Sequence, residues 1–387
     1  MRTAFLGARV HDGERERPGG VVLVADGVVE AIGVEADIPS DAHRVALAGG
    51  TLVPGFVDLQ VNGGDGLMLG DAEDVDDVLR IAAAHRRLGA TAILPTLVTD
   101  TPERTARTID LVRRAVEREP GVIGLHLEGP HLAPARRGAH PPDLVRPMTD
   151  RDEAMLIDAA ERLPTLLVTL APEVVGPDRV ARLAAAGVVV FLGHSDASYA
   201  TAMAAFDAGA RGATHLFNAM SPFGSREPGL VGAALDCGAA HAGLIADGVH
   251  VHPRSMATAL RAKRGPGRIH LVSDAMAAAG TGASGFEWGG RRVARSGGRL
   301  TLPDGTLAGA DLSMARAVRT LIEGADVPRE RAIAMATGAP AAAIGRTDRG
   351  RLAPGARADL VHLAADGRLR AAWYGGEPVP LAAPNGT

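Results

Sequence analysis

Six short apolar stretches of this 387-residue chain run straight into acids, imidazoles or amides. VDLQVN ends on Gln60 and Asn62, LHLEGPH carries Glu128, VFLGHSDAS carries His194, and THLFNAM carries His215. LIADGVHV carries Asp247 and His250, and LVSDAM carries Asp274. One carboxylate and two imidazoles from separate segments, Glu128, His194 and His215, form a donor set suited to Zn²⁺ or Fe²⁺ with a position left for water. Any one of these histidines alone would more often be a hydrogen-bonded core or loop residue. Three at the ends of three apolar segments make the metal reading. Asp274 directly follows an apolar run, where a general base would sit; the bland alternative is a helix cap or turn.

The amides pose a separate question. Side chains alternate along a strand, so Asp58, Gln60 and Asn62 share one face and Val57, Leu59 and Val61 the other. Amides do not titrate, and an amide oxygen is a weak Zn²⁺ ligand beside imidazole or carboxylate. His126 lies two residues before Glu128 on the same face, one layer deeper, and reads as packing beneath the site.

Groups from six segments meet only if a scaffold gathers the segment ends. From residue 53 to 353, apolar runs alternate with helical patterns such as 74–89, 102–118, 150–163 and 313–324. The apolar runs, among them 122–129, 188–195, 212–218, 241–247 and 268–276, are continuous, as expected of parallel strands buried on both faces. Eight strand–helix units predict an α/β fold, a (β/α)8 TIM-type barrel, with chemistry at the C-terminal strand ends. A doubly wound open sheet is the alternative, but Leu69 stands at the third glycine position of a dinucleotide fingerprint begun by Gly64 and Gly66.

The two ends differ from the middle. VVLVADGVVEAIG (21–33) and ADLVHLAADGRLRAAWYGGEPV (358–379) are short strands around Asp-Gly turns. Residues 1–52 and 354–387 are therefore expected to form one small composite β-sandwich. A β-hairpin insertion is expected at about 280–310, between the eighth strand and its helix, as a lid or as decoration.

Composition narrows the function classes. With 46% hydrophobic and 22% charged residues the chain can bury a large core, and a net charge of −4 gives no nucleic-acid footprint. Cys237 is the single cysteine, which excludes an intrachain disulfide and a thiolate zinc cluster. No run approaches the length of a membrane span and no leader precedes the first charges, so a cytoplasmic location without membrane association is expected.

HLEGP, GHSDA, THLFNAM, DGVHV and LVSDAMAAAG, in this order and with PGFVDLQVNGG and GTLAG, resemble the motifs of the N-acetylglucosamine-6-phosphate deacetylase family of the amidohydrolase superfamily. The likeness spans nearly the whole chain. It implies release of acetate from N-acetylglucosamine 6-phosphate by metal-activated water, with Asp274 as base and then acid. It also implies substrate contacts from His140, Asn218, the Ala219 backbone and His250, and a homodimer in which Arg226 reaches the neighbouring phosphate. Many superfamily members hold a second metal through His-x-His on the first strand and a carboxylated lysine. Here Gln60 and Asn62 replace those histidines, and Lys263, the single lysine, falls in a helical stretch far from any strand end. One divalent metal per chain is expected, Zn²⁺ before Fe²⁺, with the Gln60–Asn62 region a vacant second-metal position at the rim. His131 and Asp311 depart from the pattern; Asp311 would alter sugar preference if it points into the pocket. Two rivals stay open: a related hydrolase or deaminase acting on another amide, and a non-catalytic sugar-binding barrel. The first lacks a reason for His140, Asn218, Arg226 and His250 together, and the second lacks one for Asp274.

Overall fold

The protein is described from a computed structural model covering residues 1–382. Eight parallel strands form the centre: β1 (Phe56–Val61), β2 (Ala90–Val98), β3 (Leu125–Glu128) and β4 (Leu166–Leu170), then β5 (Val189–Leu192), β6 (Gly212–Ala213), β7 (His241–Leu244) and β8 (Ile269–Leu271). Each pairs with the next in sequence. Just beyond β8, a parallel bridge from Ala275 to Val61 and the Asp274 N–H to Gln60 carbonyl bond (3.0 Å) close the ring. Closure leaves no edge strand and fixes every strand end relative to the others.

Helices cover the outside because their apolar residues recur on one stripe. Pro102–Arg118 starts where Thr101 accepts a hydrogen bond from the Arg104 N–H, and it buries Thr105, Thr108, Ile109, Leu111, Val112 and Ala115. Val75–Arg86 starts on Asp74 and buries Val75, Val78, Ile81, Ala82, Ala84 and His85. Each such Val, Leu or Ile stabilises the layer by about 1.5–3 kcal/mol. Lys263 follows directly on the helix Pro253–Ala262 rather than lying inside it, and its ammonium donates to the carbonyls of Cys237 and Arg264.

The chain ends build two sheets. One takes all four strands from the N-terminal segment, in the order Val28–Gly33, Val21–Ala25, Arg2–Leu6, His43–Ala46. The other mixes both ends: Glu377–Val379, Leu369–Tyr374 and Leu360–Leu363 pair on through Thr51–Pro54 to Arg9–His11 and Glu16–Arg17. Phe5 and Trp373 meet edge-on in the core between the sheets, with ring centres 4.9 Å apart. Residues 383–387 of the expected sandwich lie outside the described residues.

The expected β-hairpin at 280–310 is corrected. The segment is a four-stranded antiparallel sheet: Gly285–Trp288, Arg291–Ser296, Arg299–Thr301 and Leu307–Ala310. Two further turns, at Gly297-Gly298 and Asp304-Gly305, add the extra strands; Gly297, Gly298 and Gly305 have φ of 58°, 73° and 86°. Phe286, Val293, Leu300 and Leu302 of this sheet pack with Met68, Met276, Ala277 and Ala278, beside the end of β8. Arg291 also donates to the Ala139 carbonyl at 2.9 Å. The insertion therefore lies against the segments that carry Asp274 and His140.

Candidate active site

Each reactive group stands at or just past a strand end. Glu128 is the last residue of β3 and is buried. His194 and His215 each lie two residues beyond their strands, and Asp274 lies three beyond β8. These three have left-handed backbones, with φ of 47°, 29° and 51°. That conformation is uncommon outside glycine, but His and Asp tolerate it better than most residues. It takes the chain out of the ladder immediately after the strand.

The resulting cluster is tight. Glu128 Oε1 lies 2.9 Å from His215 Nε2 and 3.3 Å from His194 Nε2, and the two nitrogens are 3.1 Å apart. A tetrahedral ion with bonds of about 2.0–2.1 Å needs ligand spacings of about 3.3 Å, so these donors fit a divalent cation with only a small opening. His194 Nδ1 lies 2.9 Å from the Arg136 carbonyl, an acceptor only. The proton of neutral His194 therefore sits on Nδ1, and Nε2 presents its lone pair to the cluster. Among the described residues, Glu128, His194 and His215 are the group that could hold a metal. Burial raises the Glu128 pKa, but the hydrogen bonds and charges of His194 and His215 outweigh it and hold the carboxyl well below its usual range. Burial lowers the His215 pKa, and its bond to Glu128 overcomes this and raises it.

The two amides are engaged with the carboxylates of the site. Both are buried, at 2% exposure. Gln60 Nε2 donates to Glu128 Oε1 at 2.9 Å, and Asn62 Nδ2 donates to Asp274 Oδ1 at 2.7 Å. The shared face of β1 thus holds the two carboxylates of the site. Asp58, one step deeper, accepts from the Ser273 and Gln60 N–H groups. Burial, and then the Glu128 charge, push Asp274 up to about 6. Burial pushes Asp58 up to about 6 as well.

His140 is brought to the same place. Its Nε2 lies 3.7 Å from Glu128 Oε2, and its ring meets the His194 ring edge-on at 4.4 Å. Burial, followed by the nearby His194, lowers its pKa to about 3, so it is neutral. His250 Nδ1 is 2.6 Å from Asp247 Oδ2, and Asp247 Oδ1 also accepts from the Val249 and His250 N–H groups. Asn218 caps the turn after β6, donating to the carbonyls of His215 and Leu216, and Ala219 has φ of 50°. Arg226 is exposed, and among the described residues its side chain has no ion pair or hydrogen bond to the rest of the site.

Other sequence assignments move. His131 points away from the cluster, with Nδ1 3.2 Å from the Arg146 carbonyl. Asp311 makes a two-pronged pair with Arg295 of the insertion, at 2.9 and 2.7 Å, so it is not a bare acid in the mouth. His126 lies beneath the site as expected, between the Leu59 carbonyl (3.1 Å) and Thr169 Oγ1 (2.8 Å). Three residues went unread. Thr99 follows β2 and contacts His140, Ser273 supports Asp58, and Glu173 binds Ser195 Oγ (2.7 Å) and the Asp196 N–H (2.6 Å) beside His194. Applying the strand-end rule to β2 would have found Thr99.

A closed barrel whose strand ends present a Glu-His-His cluster and a separate Asp defines a metal-dependent hydrolase scaffold. Residues 51–379 match the Amidohydrolase family, and the chain belongs to it. The chain is 42% identical to the N-acetylgalactosamine-6-phosphate deacetylase of Shewanella sp. (strain ANA-3), over 92% of this chain and 90% of that one. The N-acetylglucosamine-6-phosphate deacetylase structure from Pasteurella multocida superposes with a TM-score of 0.93 at 30% identity, covering 98% and 99% of the two chains. A mutant deacetylase from Mycobacterium smegmatis in complex with N-acetyl-D-glucosamine-6-phosphate gives 0.89 at 36% identity, covering 98% and 99%. Among the described residues no helix is long and apolar enough to cross a membrane.

Proposed function

We propose that the chain hydrolyses the N-acetyl group of N-acetylglucosamine 6-phosphate, giving acetate and glucosamine 6-phosphate. The observation that carries this is the Glu128–His194–His215 cluster with Asp274 held separately by Asn62. One divalent ion, Zn²⁺ or else Fe²⁺, held by Glu128, His194 and His215 would polarise the acyl oxygen and lower the pKa of water. Asp274 takes a proton from the attacking water as the new C–O bond forms. Asn62 occupies Oδ1 of Asp274, which leaves Oδ2 for that proton. The same proton then passes to the amine as the C–N bond breaks, so a single carboxyl serves as base and acid. His140 Nε2, beside Glu128, faces the acyl group. Asn218, the Ala219 backbone and His250 bind the sugar phosphate, and Arg226 of the partner subunit completes the phosphate site in a homodimer. An exposed arginine with no side-chain hydrogen bond or ion pair among the described residues supports that last assignment, and its fork matches a phosphate. Residues 1–52 with 354–382 form the sandwich unit and 53–353 the catalytic barrel, in a cytoplasmic enzyme.

A second reading, the galactosamine epimer as substrate, is favoured by the 42% identity to a relative named for it. The test is acetate release from both epimers, with and without chelator. No release from either by metal-loaded protein refutes the proposal, and a large preference for the galacto epimer selects the second reading.

A further inference from the structure

We propose that Thr99 is a positioning residue that fixes which nitrogen of His140 carries the proton. Thr99 is buried at the end of β2, and its Oγ1 lies 2.7 Å from His140 Nδ1. The same hydroxyl can instead donate to the Glu128 carbonyl at 3.3 Å, a longer and weaker bond that is given up when its single proton goes to His140. The hydroxyl has one proton, and neutral imidazole has one N–H. Two arrangements satisfy the 2.7 Å contact. In one, Thr99 donates to a bare Nδ1 and His140 keeps its N–H on Nε2. In the other, Nδ1–H donates to Thr99, and Nε2 turns a lone pair on Glu128.

The surroundings of Nε2 select the first. Glu128 Oε2 lies 3.7 Å from that nitrogen. A lone pair facing a carboxylate oxygen is repelled, whereas an N–H is attracted. The N–H therefore stands on Nε2, on the side of the metal-ligand cluster. Thr99 does for His140 what the Arg136 carbonyl does for His194, with the opposite outcome: His194 offers a lone pair, His140 a donor. Gly129 leaves the room that the Thr99 hydroxyl occupies. A Cβ on Gly129 would come within 2.2 Å of Thr99 Oγ1, and Gly129 has φ of 85°, so the turn after Glu128 closes onto the hydroxyl only as glycine.

The consequence rests on the deacetylase reading. An Nε2–H facing the site stabilises negative charge developing on the acyl oxygen, and loss of one such donor lowers kcat by about 10²–10³-fold. Thr99→Val removes the hydroxyl at nearly constant volume and Thr99→Ser restores it. With zinc-loaded protein, Thr99→Val should lose roughly 10–100-fold in kcat with little change in KM or bound zinc, and Thr99→Ser should stay within about 3-fold of wild type. Nitrogen-15 NMR of His140 in the wild-type zinc protein should show the proton on Nε2 and a bare Nδ1. That readout needs neither turnover nor a variant, so it stands apart from failure of the deacetylase reading. A proton on Nδ1, protons on both nitrogens, or undiminished kcat in Thr99→Val would each overturn the assignment.

Discussion

Replacing Asn62 with leucine removes one donor from Asp274 and leaves a side chain of similar size. The lost bond is 2.7 Å long, buried and made to a carboxylate. Hydrogen bonds to charged groups are worth about 1.5–3 kcal/mol, and one pKa unit corresponds to about 1.4 kcal/mol, so Asp274 should rise by about one to two units. The sign follows from which form is favoured: Asn62 stabilises the carboxylate, so its loss favours the acid. Asp274 starts at about 6, raised first by burial and then by Glu128. A bound cation lowers that starting value in wild type and variant alike, so the difference between them survives. The assay is the pH profile of kcat/KM for acetate release. The acidic limb of Asn62→Leu should move up by about one to two pH units, giving a loss of roughly 10–100-fold below the wild-type limb and a much smaller one well above both limbs. A uniform loss with the limb unmoved would refute the idea that Asn62 keeps Asp274 ionised.

Asp274→Asn should lower kcat by about 10²–10⁴-fold while the protein keeps its bound metal; turnover near wild type removes Asp274 from proton transfer. Stripping the protein with chelator and restoring Zn²⁺ should bring back full activity at one equivalent per chain, because Gln60 and Asn62 are committed to carboxylates; tight uptake of a second equivalent contradicts that. Asp58 gives a stability test. It is fully buried, and burial pushes it from 3.8 up to about 6. The native state then holds more protons than the unfolded chain between those values, so this group's contribution falls as pH rises through the window, by about 3 kcal/mol for about two units. In urea unfolding at pH 4 and pH 7, Asp58→Asn should gain about that much on wild type at the higher pH; an unchanged gap between the two proteins rejects the buried-acid reading.

The barrel was legible because its strands are apolar runs and its helices carry their own start signals. Thr101-Pro102 is one, and the helix Pro102–Arg118 runs over the predicted 102–118. The apolar pattern of GATHLFN predicts a strand over 212–218, yet only Gly212–Ala213 stays in the ladder. The hydrophobic pattern continues there, but the backbone turns left-handed at His215, and no residue pattern encodes that turn. Glu128, His194, His215 and Asp274 were readable because acids and imidazoles at strand ends are conspicuous. Gln60, Asn62 and Thr99 act through partners distant in sequence: Asn62 meets Asp274 only after β1 and β8 close the ring. Reading their ability to ligate a metal missed their ability to donate a hydrogen bond. The Arg295–Asp311 pair was hidden in the same way, because it forms only once the insertion folds as a sheet.

The left-handed backbones at His194, His215 and Asp274 also limit what can be changed. An ordinary L-residue in that conformation costs about 1–2 kcal/mol, and a β-branched one is a true outlier, whereas Asn, Asp and His tolerate it better. The chain path has thus chosen a small alphabet for these positions before any metal or sugar is considered. Exchanging His194 for aspartate or asparagine keeps within that alphabet, while a β-branched replacement such as threonine works against the backbone as well as the chemistry. Variation among enzymes built on this path should be freer at Glu128, which remains inside its strand, than at the three residues where the chain turns.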